Sequence, residues 1–416
     1  MADSWLIVVS KALFFLLLAI IITDMVLLFR IKKGLHGYRV TPEKLSNGDD
    51  NELAIHLENF YPFTVRLNVV DEIPHQFQRR DLNFKTVIAP GKKKTIQYHI
   101  RPVKRGEYSF GTVNVFASSP LAFLSRRFKF SGDASVPVYP SYIQMRKYEL
   151  MAISNRLSDA GIKRIRRIGQ NREFELIKEY VSGDDFRTIN WRATARRNTL
   201  MVNHFQDERS QQVYSVIDKG RLMQMPFNGL SLLDYAINAS LVISNIAIKK
   251  SDKAGLITFQ HNLGSVLPAG KQNKQMLRIM ETLYNQKTAY KESDFSTLYI
   301  HIRRKITQRS LLLLFTNFES IYGLNRQLPY LKSLSNQHLL VVVFFENTEM
   351  KSLLESPANS LKEVYHKAVA EKFSLDKKII VKELATHGIQ AVLTSPENLT
   401  VNTINKYLEL KARGMI

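Results

Sequence analysis

Between residues 5 and 29 the chain is almost continuously apolar, WLIVVSKALFFLLLAIIITDMVLLF, interrupted only by Lys11 and Asp24. As a helix rising about 1.5 Å per residue this run spans about 37 Å, enough to cross a bilayer with some tilt. No charged stretch precedes it and no small-x-small site follows it, so the pattern predicts an anchor in preference to a cleaved signal peptide. From 34 to 142 the pattern changes to period two: Leu53, Ile55 and Leu57, then Val65, Leu67 and Val69, then Ile96, Tyr98 and Ile100. Alternation of this kind reads as half-buried antiparallel strands. Turn signals at Ser46-Asn47-Gly48-Asp49, Tyr61-Pro62, Ala89-Pro90-Gly91, Lys104-Arg105-Gly106 and Ser118-Ser119-Pro120 separate them. About seven short strands in this length predict a small immunoglobulin-like sandwich.

From 212 onward strands and helices alternate. Apolar strands are predicted at 212–217 and 254–259, an antiparallel edge strand at 262–267, and a last strand at 389–393. The continuous apolar runs 311–315 and 339–345 are those of central parallel strands. Helical spacing marks 230–248, 273–284, 295–307, 351–373 and 405–411. The alternation predicts a doubly wound α/β sheet, with its ligand crevice at the carboxyl ends of the strands. Four segments result: an anchor at 1–33, a β-sandwich at 34–145, a charged segment at 146–211, and an α/β domain at 212–416.

Charge and composition change this picture in three places. The 416 residues carry a formal net charge of +22 and no cysteine, which excludes disulfides, zinc fingers and thiol catalysis. Arg30, Lys32, Lys33 and Arg39 follow the apolar run, and the positive-inside rule then places everything after Phe29 in the cytoplasm, with this basic patch toward anionic headgroups. Asp24 is a functional-site candidate by its position in the run, against a plainer reading as a carboxylate snorkelling at the interface. The runs Lys92-Lys93-Lys94 and Arg126-Arg127 read as solvated strand ends, secondarily as lipid contacts. Lys163, Arg164, Arg166, Arg167 and Arg172 form a cluster suited to membrane or protein contact more than to nucleic acid, since no exposed aromatics or known module accompany it.

Between 172 and 209 acids and bases alternate around Phe186 and Trp191. Arg187, Arg192 and Arg196 are expected to fork onto Asp184, Asp185 or Glu179 and to stack on Trp191. Gly183 supplies a turn signal before the acid pair. Two readings follow: a structural linker stitched by salt bridges, or a partner-binding surface.

The order Glu173-Phe174, Glu179-Tyr180, Gly183-Asp184, Arg187, Ile189, Trp191, Ala193, Ala195-Arg196 and then Val216-Ile217-Asp218 closely resembles the signature of the bacterial membrane-protein family known as domain of unknown function 58. Residues 105–123, RGEYSFGTVNVFASSPLAF, and the ending around Gly388, Pro396-Glu397 and 407–414 resemble it too. The resemblance implies a von Willebrand factor A-like domain and association with a MoxR-type AAA+ ATPase in envelope assembly, maturation or stress tolerance. It makes Glu173, Tyr180, Gly183, Asp184, Arg187, Trp191 and Arg196 candidate partner-binding residues. Relatives often carry two closely spaced membrane helices where one is evident here, so a single or paired anchor in the bacterial inner membrane is implied.

Von Willebrand A-type domains hold a divalent cation through Asp-x-Ser-x-Ser after the first strand, with a Thr and an Asp from later loops. Here the stretch is Asp218-Lys219-Gly220-Arg221-Leu222, so Gly220 and Leu222 stand at the hydroxyl positions. Ser293-Asp294 corresponds to the threonine loop, and Asn317 takes the place of the later Asp. The expectation is a degenerate, metal-free site with Lys219 or Arg221 neutralising Asp218; a weak Mg²⁺ site is the competing view. No phosphate-binding loop, nucleophile elbow, zinc-protease or dinucleotide motif occurs, and the ten histidines are scattered, so no enzyme is expected. The function anticipated is that of a membrane-anchored, non-catalytic interaction or adaptor protein. The alternatives are a Mg²⁺-dependent ligand-binding module and a basic protein binding anionic lipid or nucleic acid.

Overall fold

A computed structural model describes residues 2–79, 82–130, 132, 134–153, 172–207, 210–357 and 360–416. It divides into two units, Met1–Gln144 and Met145–Ile416.

The first unit begins with the helix Ala2–Phe29, of which Leu6–Phe29 is long and apolar enough to cross a membrane. Its apolar side chains point outward around most of the circumference, as a lipid-facing helix requires and a core helix does not. Ten strands follow among the described residues, three more than the alternation predicts. They form three sheets arranged in sandwich-like fashion. One sheet pairs Leu35–Val40 with Asn51–Asn59 and Lys93–Ile100, a second places Ala134–Tyr139 between Leu45–Ser46 and Gly106–Phe110, and a third is the four-stranded Asn83–Ile88, Val65–Asp71, Val113–Ser118, Ser125–Phe130. The period-two positions named above become their shared core: Leu53, Ile55, Leu57, Val65, Leu67 and Val69 are all buried.

Two features tie the helix to the strands, and both correct an expectation. Asp24 does not snorkel. It is fully buried, its Oδ1 accepting from the Ser119 hydroxyl and its Oδ2 from the Leu124 backbone N–H at 2.7 Å. Arg126 is not a solvated strand end. Its guanidinium donates to the carbonyls of Leu28 (2.7 Å), Ile31 (2.7 Å) and Lys32 (2.9 Å) and lies over the rings of Phe29 and Phe128. The last carbonyls of a helix have no intrahelical partner and carry its negative dipole end, so a planar cation with several donors is the natural cap. Tyr61 adds a further donor to the Leu28 carbonyl at 2.8 Å. Arg127 likewise donates to Asn114 Oδ1 at 2.9 Å. Arg39, expected to face headgroups, is instead buried in the sandwich, 2.5 Å from Asp71 and 2.9 Å from the Gly111 carbonyl, with Tyr98 also donating to Asp71. Only Arg30, Lys32 and Lys33 remain exposed after the helix.

The second unit centres on a six-stranded sheet: β1 (Gln212–Asp218), β2 (Lys253–Phe259), β3 (Leu263–Gly270), β4 (Leu311–Phe315), β5 (Leu339–Phe345) and β6 (Gln390–Thr394). The order is β3-β2-β1-β4-β5-β6, parallel throughout except for the antiparallel edge strand β3. Both faces are covered. Leu311, Leu313 and Phe315 of β4 join one core with the helices Leu232–Lys249 and Leu399–Ala412, while Leu312 and Leu314 join the other with Phe295–Lys305 and Ile321–Gln337. This is why β4 and β5 read as unbroken apolar runs. Helix Leu232–Lys249 is also long and apolar enough to cross a membrane, yet most of it is buried against the sheet, and a capping box of Ser231 and Asp234 starts it. The stretch expected as one helix over 351–373 is two, Thr348–Glu355 and Leu361–Thr386, because Pro357 cannot continue the first. The family-like ending is a structural lock: Tyr407 and Lys411 of the last helix both reach Asp252, at 2.5 and 2.7 Å.

Candidate functional site

Residues 172–207 form a two-stranded antiparallel ribbon, Arg172–Glu179 against Met201–Asp207, whose connection carries a short 3-10 turn, Phe186–Thr188, and the helix Trp191–Arg197. Short polar side chains hold this tip. Asp184 accepts from the Val181 N–H at 3.0 Å and pairs with Lys178 at 2.9 Å, a turn that Gly183 permits with φ of +112°. Asp185 accepts from the Arg187 N–H, and Asn190 caps the helix by accepting from the Ala193 N–H, each at 3.0 Å. Asn198 closes it in the left-handed region. Backbone bonds from Tyr180 to Leu200 and from Asn190 to Met201 tie the tip to the ribbon at 2.8 Å each.

The expected arginine network is absent among the described residues. Arg187, Arg192 and Arg196 are exposed and make no ion pair to Asp184, Asp185 or Glu179, and Trp191 is 70% exposed. Asp184 and Asp185 serve backbone N–H groups and Lys178 instead, while Glu179 is exposed. Phe186, 73% exposed, stacks on Tyr180 with centroids 5.6 Å apart. The tip therefore presents two aromatic rings and several guanidinium groups to solvent. Glu173 lies in the first strand of the ribbon. The basic cluster at Lys163, Arg164, Arg166 and Arg167 lies outside the described residues.

The second candidate lies at the carboxyl edge of the sheet, where β1 is flanked by β2 on one side and β4 on the other. The chain departs in opposite directions from such a point, which opens a crevice. Asp218 ends β1 there and is 3% exposed. Its Oδ1 accepts from the Gly220 N–H at 2.8 Å and from the Ser293 hydroxyl, and its Oδ2 accepts from the Thr316 hydroxyl at 2.7 Å. Neither Lys219 nor Arg221 pairs with it, contrary to expectation; three neutral donors take that role. Burial pushes the Asp218 carboxyl above its ordinary range, and those three donors only partly oppose it.

The structure brings Asp218, Gly220, Leu222, Ser293 and Asn317 to one crevice of about 150 Å³. A Cβ at Gly220 would collide with Ser293 Oγ, so glycine here is what lets the loop reach the carboxylate. Asn317 does not touch Asp218; its Oδ1 accepts from Lys377 at 2.6 Å. Thr316 is the residue the sequence reading passed over, although it stands directly after the apolar run of β4. As a cation site the set fits poorly: one carboxylate, already holding three hydrogen bonds, with two of the five positions lacking a side-chain oxygen. No group of three or more His, Cys, Asp or Glu suited to a metal occurs among the described residues.

Comparison with known proteins bears on the ribbon tip and most of the sheet. The chain is 23% identical over 281 residues to the uncharacterized protein YeaD of Bacillus subtilis, covering 65% of this chain and 68% of that one. Solved structures that resemble about a quarter of the chain are among the matches. They include the PapD-like domain 7 of human CEP192 (12% identity, TM-score 0.21, 26% of this chain and 87% of that one) and the CARDB domain of PF1109 from Pyrococcus furiosus (14%, 0.19, 25% and 94%). Residues 177–358 match the model of the protein of unknown function DUF58.

Proposed function

We propose that this chain is a membrane-anchored, non-catalytic adaptor whose partner-binding element is the ribbon tip. The observation that carries this reading is the exposure of Trp191, Arg187, Arg192 and Arg196, whose side chains make no hydrogen bond or ion pair within the tip among the described residues, with Phe186 exposed beside them. Tryptophan and arginine are the side chains most enriched where partners dock, and an exposed cluster of them on a rigid support is uncommon without such a use. The doubly wound sheet with its acid at the end of β1 supports reading the second unit as a degenerate von Willebrand A-like domain. Its Asp218 is then a structural carboxylate satisfied by hydroxyls, with no resident cation. The helix Leu6–Phe29, followed by exposed Arg30, Lys32 and Lys33, supports an inner-membrane anchor with the body in the cytoplasm. The family resemblance nominates a MoxR-type AAA+ ATPase as the partner, acting on envelope components.

The test is recovery of the full chain from solubilised native membranes through an affinity tag. The reading predicts an AAA+ ATPase in the eluate, recovered equally with magnesium chelated. Recovery only in the presence of Mg²⁺ would favour the ligand-binding module instead. Capture of lipid or nucleic acid alone, lost steeply with salt, would favour the basic-surface reading.

A further inference from the structure

Beside the Asp218 crevice, where β5 and β6 end, lies a larger cavity of about 420 Å³. Its size falls in the range of small-molecule sites. The walls are largely apolar, with Met225, Phe227, Met350, Leu354, Phe373 and Leu393 among them. The helices Thr348–Glu355 and Leu361–Thr386 close one side, and the second of them brings in Lys377.

Lys377 is the exception in this lining. Its ammonium lies 5.5 Å from the centroid of the Phe344 ring and donates to Asn317 Oδ1 at 2.6 Å, and no carboxylate oxygen comes within salt-bridge distance of it among the described residues. The other charged groups at the cavity, Glu319, Glu349, Lys351 and Lys378, are exposed; only Glu346 is also partly buried. An ammonium held away from water with an amide and a ring as its partners is costly unless an anion joins it.

We infer that this cavity binds a small amphipathic carboxylate, its apolar chain against Met350, Leu354 and Leu393 and its head on Lys377. The desolvation that makes such a site unfavourable when empty is visible in Lys377 itself, whose pKa is pushed down to about 8 by burial despite the opposing charge of Glu319. A carboxylate head would form a charge-assisted bond in a low-dielectric setting, and the chain would remove apolar wall from water. Glu346 works against the head, which makes it a useful second control.

Equilibrium dialysis of radiolabelled decanoate against the full chain in lipid nanodiscs, with empty nanodiscs subtracted, tests this. The expected result is saturable binding at one site. Lys377→Met should weaken it by about tenfold or more, the loss of one charge-assisted bond. Glu346→Gln should tighten it, Leu354→Trp should abolish it by filling the cavity, and neutral decanol should be indifferent to Lys377→Met. Thermal melting of each variant confirms folding. No binding above empty nanodiscs, or decanoate binding unchanged by Lys377→Met in a folded protein, overturns the inference.

Discussion

Arginines in the two units do opposite work. In the first unit Arg39 is buried against Asp71 and Arg126 is spent on the end of the helix Ala2–Phe29, so both are consumed by the fold. In the ribbon tip Arg187, Arg192 and Arg196 stand beside several acids yet pair with none of them among the described residues. The difference is who needs the acid. Asp71 is buried and its carboxylate has no backbone donor among the described residues, so Arg39 and Tyr98 satisfy it. Asp184 and Asp185 sit at turns where the Val181 and Arg187 N–H groups have no other partner among the described residues, and those groups claim them first. A dense mixture of charge in sequence therefore does not by itself signal an ion-pair network; the turns decide.

This contrast can be broken by substitution, and the largest effect is expected at Arg39. Arg39→Ala leaves Asp71 buried without its cation and should cost about 3–5 kcal/mol, read as a collapse of the urea midpoint. Arg126→Ala removes the donors to Leu28, Ile31 and Lys32 and should cost about 1–3 kcal/mol, with faster proteolysis between helix and sandwich. Because the Leu28 carbonyl keeps Tyr61, Arg126→Ala should remain the milder change.

At Asp218 the sign reverses. A carboxyl whose folded pKa lies above its unfolded value contributes stability that is full below the unfolded value, about 3.9, and is lost as pH rises through the folded one. At neutral pH its ionised form is therefore a burden. Asp218→Asn should match or exceed the parent in melting temperature at pH 7, since the Ser293 and Thr316 hydroxyls can turn to accept. A loss of several degrees, reversed by no buffer change, would mean that the negative charge itself is needed there. The smallest effect is expected at the tip: Arg192→Ala and Arg196→Ala should move stability by no more than about 0.5 kcal/mol, as for other surface changes.

Much of this was legible in the chain. The runs 311–315 and 339–345 are β4 and β5 to the residue, because strands buried on both faces tolerate no polar position. The alternating Leu53, Ile55 and Leu57 likewise state which face of their strand is inside. Pro357 is a local signal for the break between Thr348–Glu355 and Leu361–Thr386, and the expectation of one helix over 351–373 takes no account of it. Partners of Asp24, Arg39 and Arg126 were not legible: they lie 95, 32 and 98 residues away in sequence, and nothing local marks them. Nor was Lys377, one lysine among many on a long helix of mixed charge, distinguishable until the cavity beside it was seen. At the crevice the residue types were readable, but not that hydroxyls rather than Lys219 or Arg221 would satisfy Asp218.

The central claim is that the tip's arginines and tryptophan serve a partner and not the fold. The double variant Arg187→Ala, Trp191→Ala in the full chain, assayed on one preparation for melting temperature and for AAA+ ATPase recovered from membranes, tests it most directly. The account predicts an unchanged melting temperature with the ATPase lost. A fall in melting temperature, or undiminished recovery of the ATPase, would contradict it.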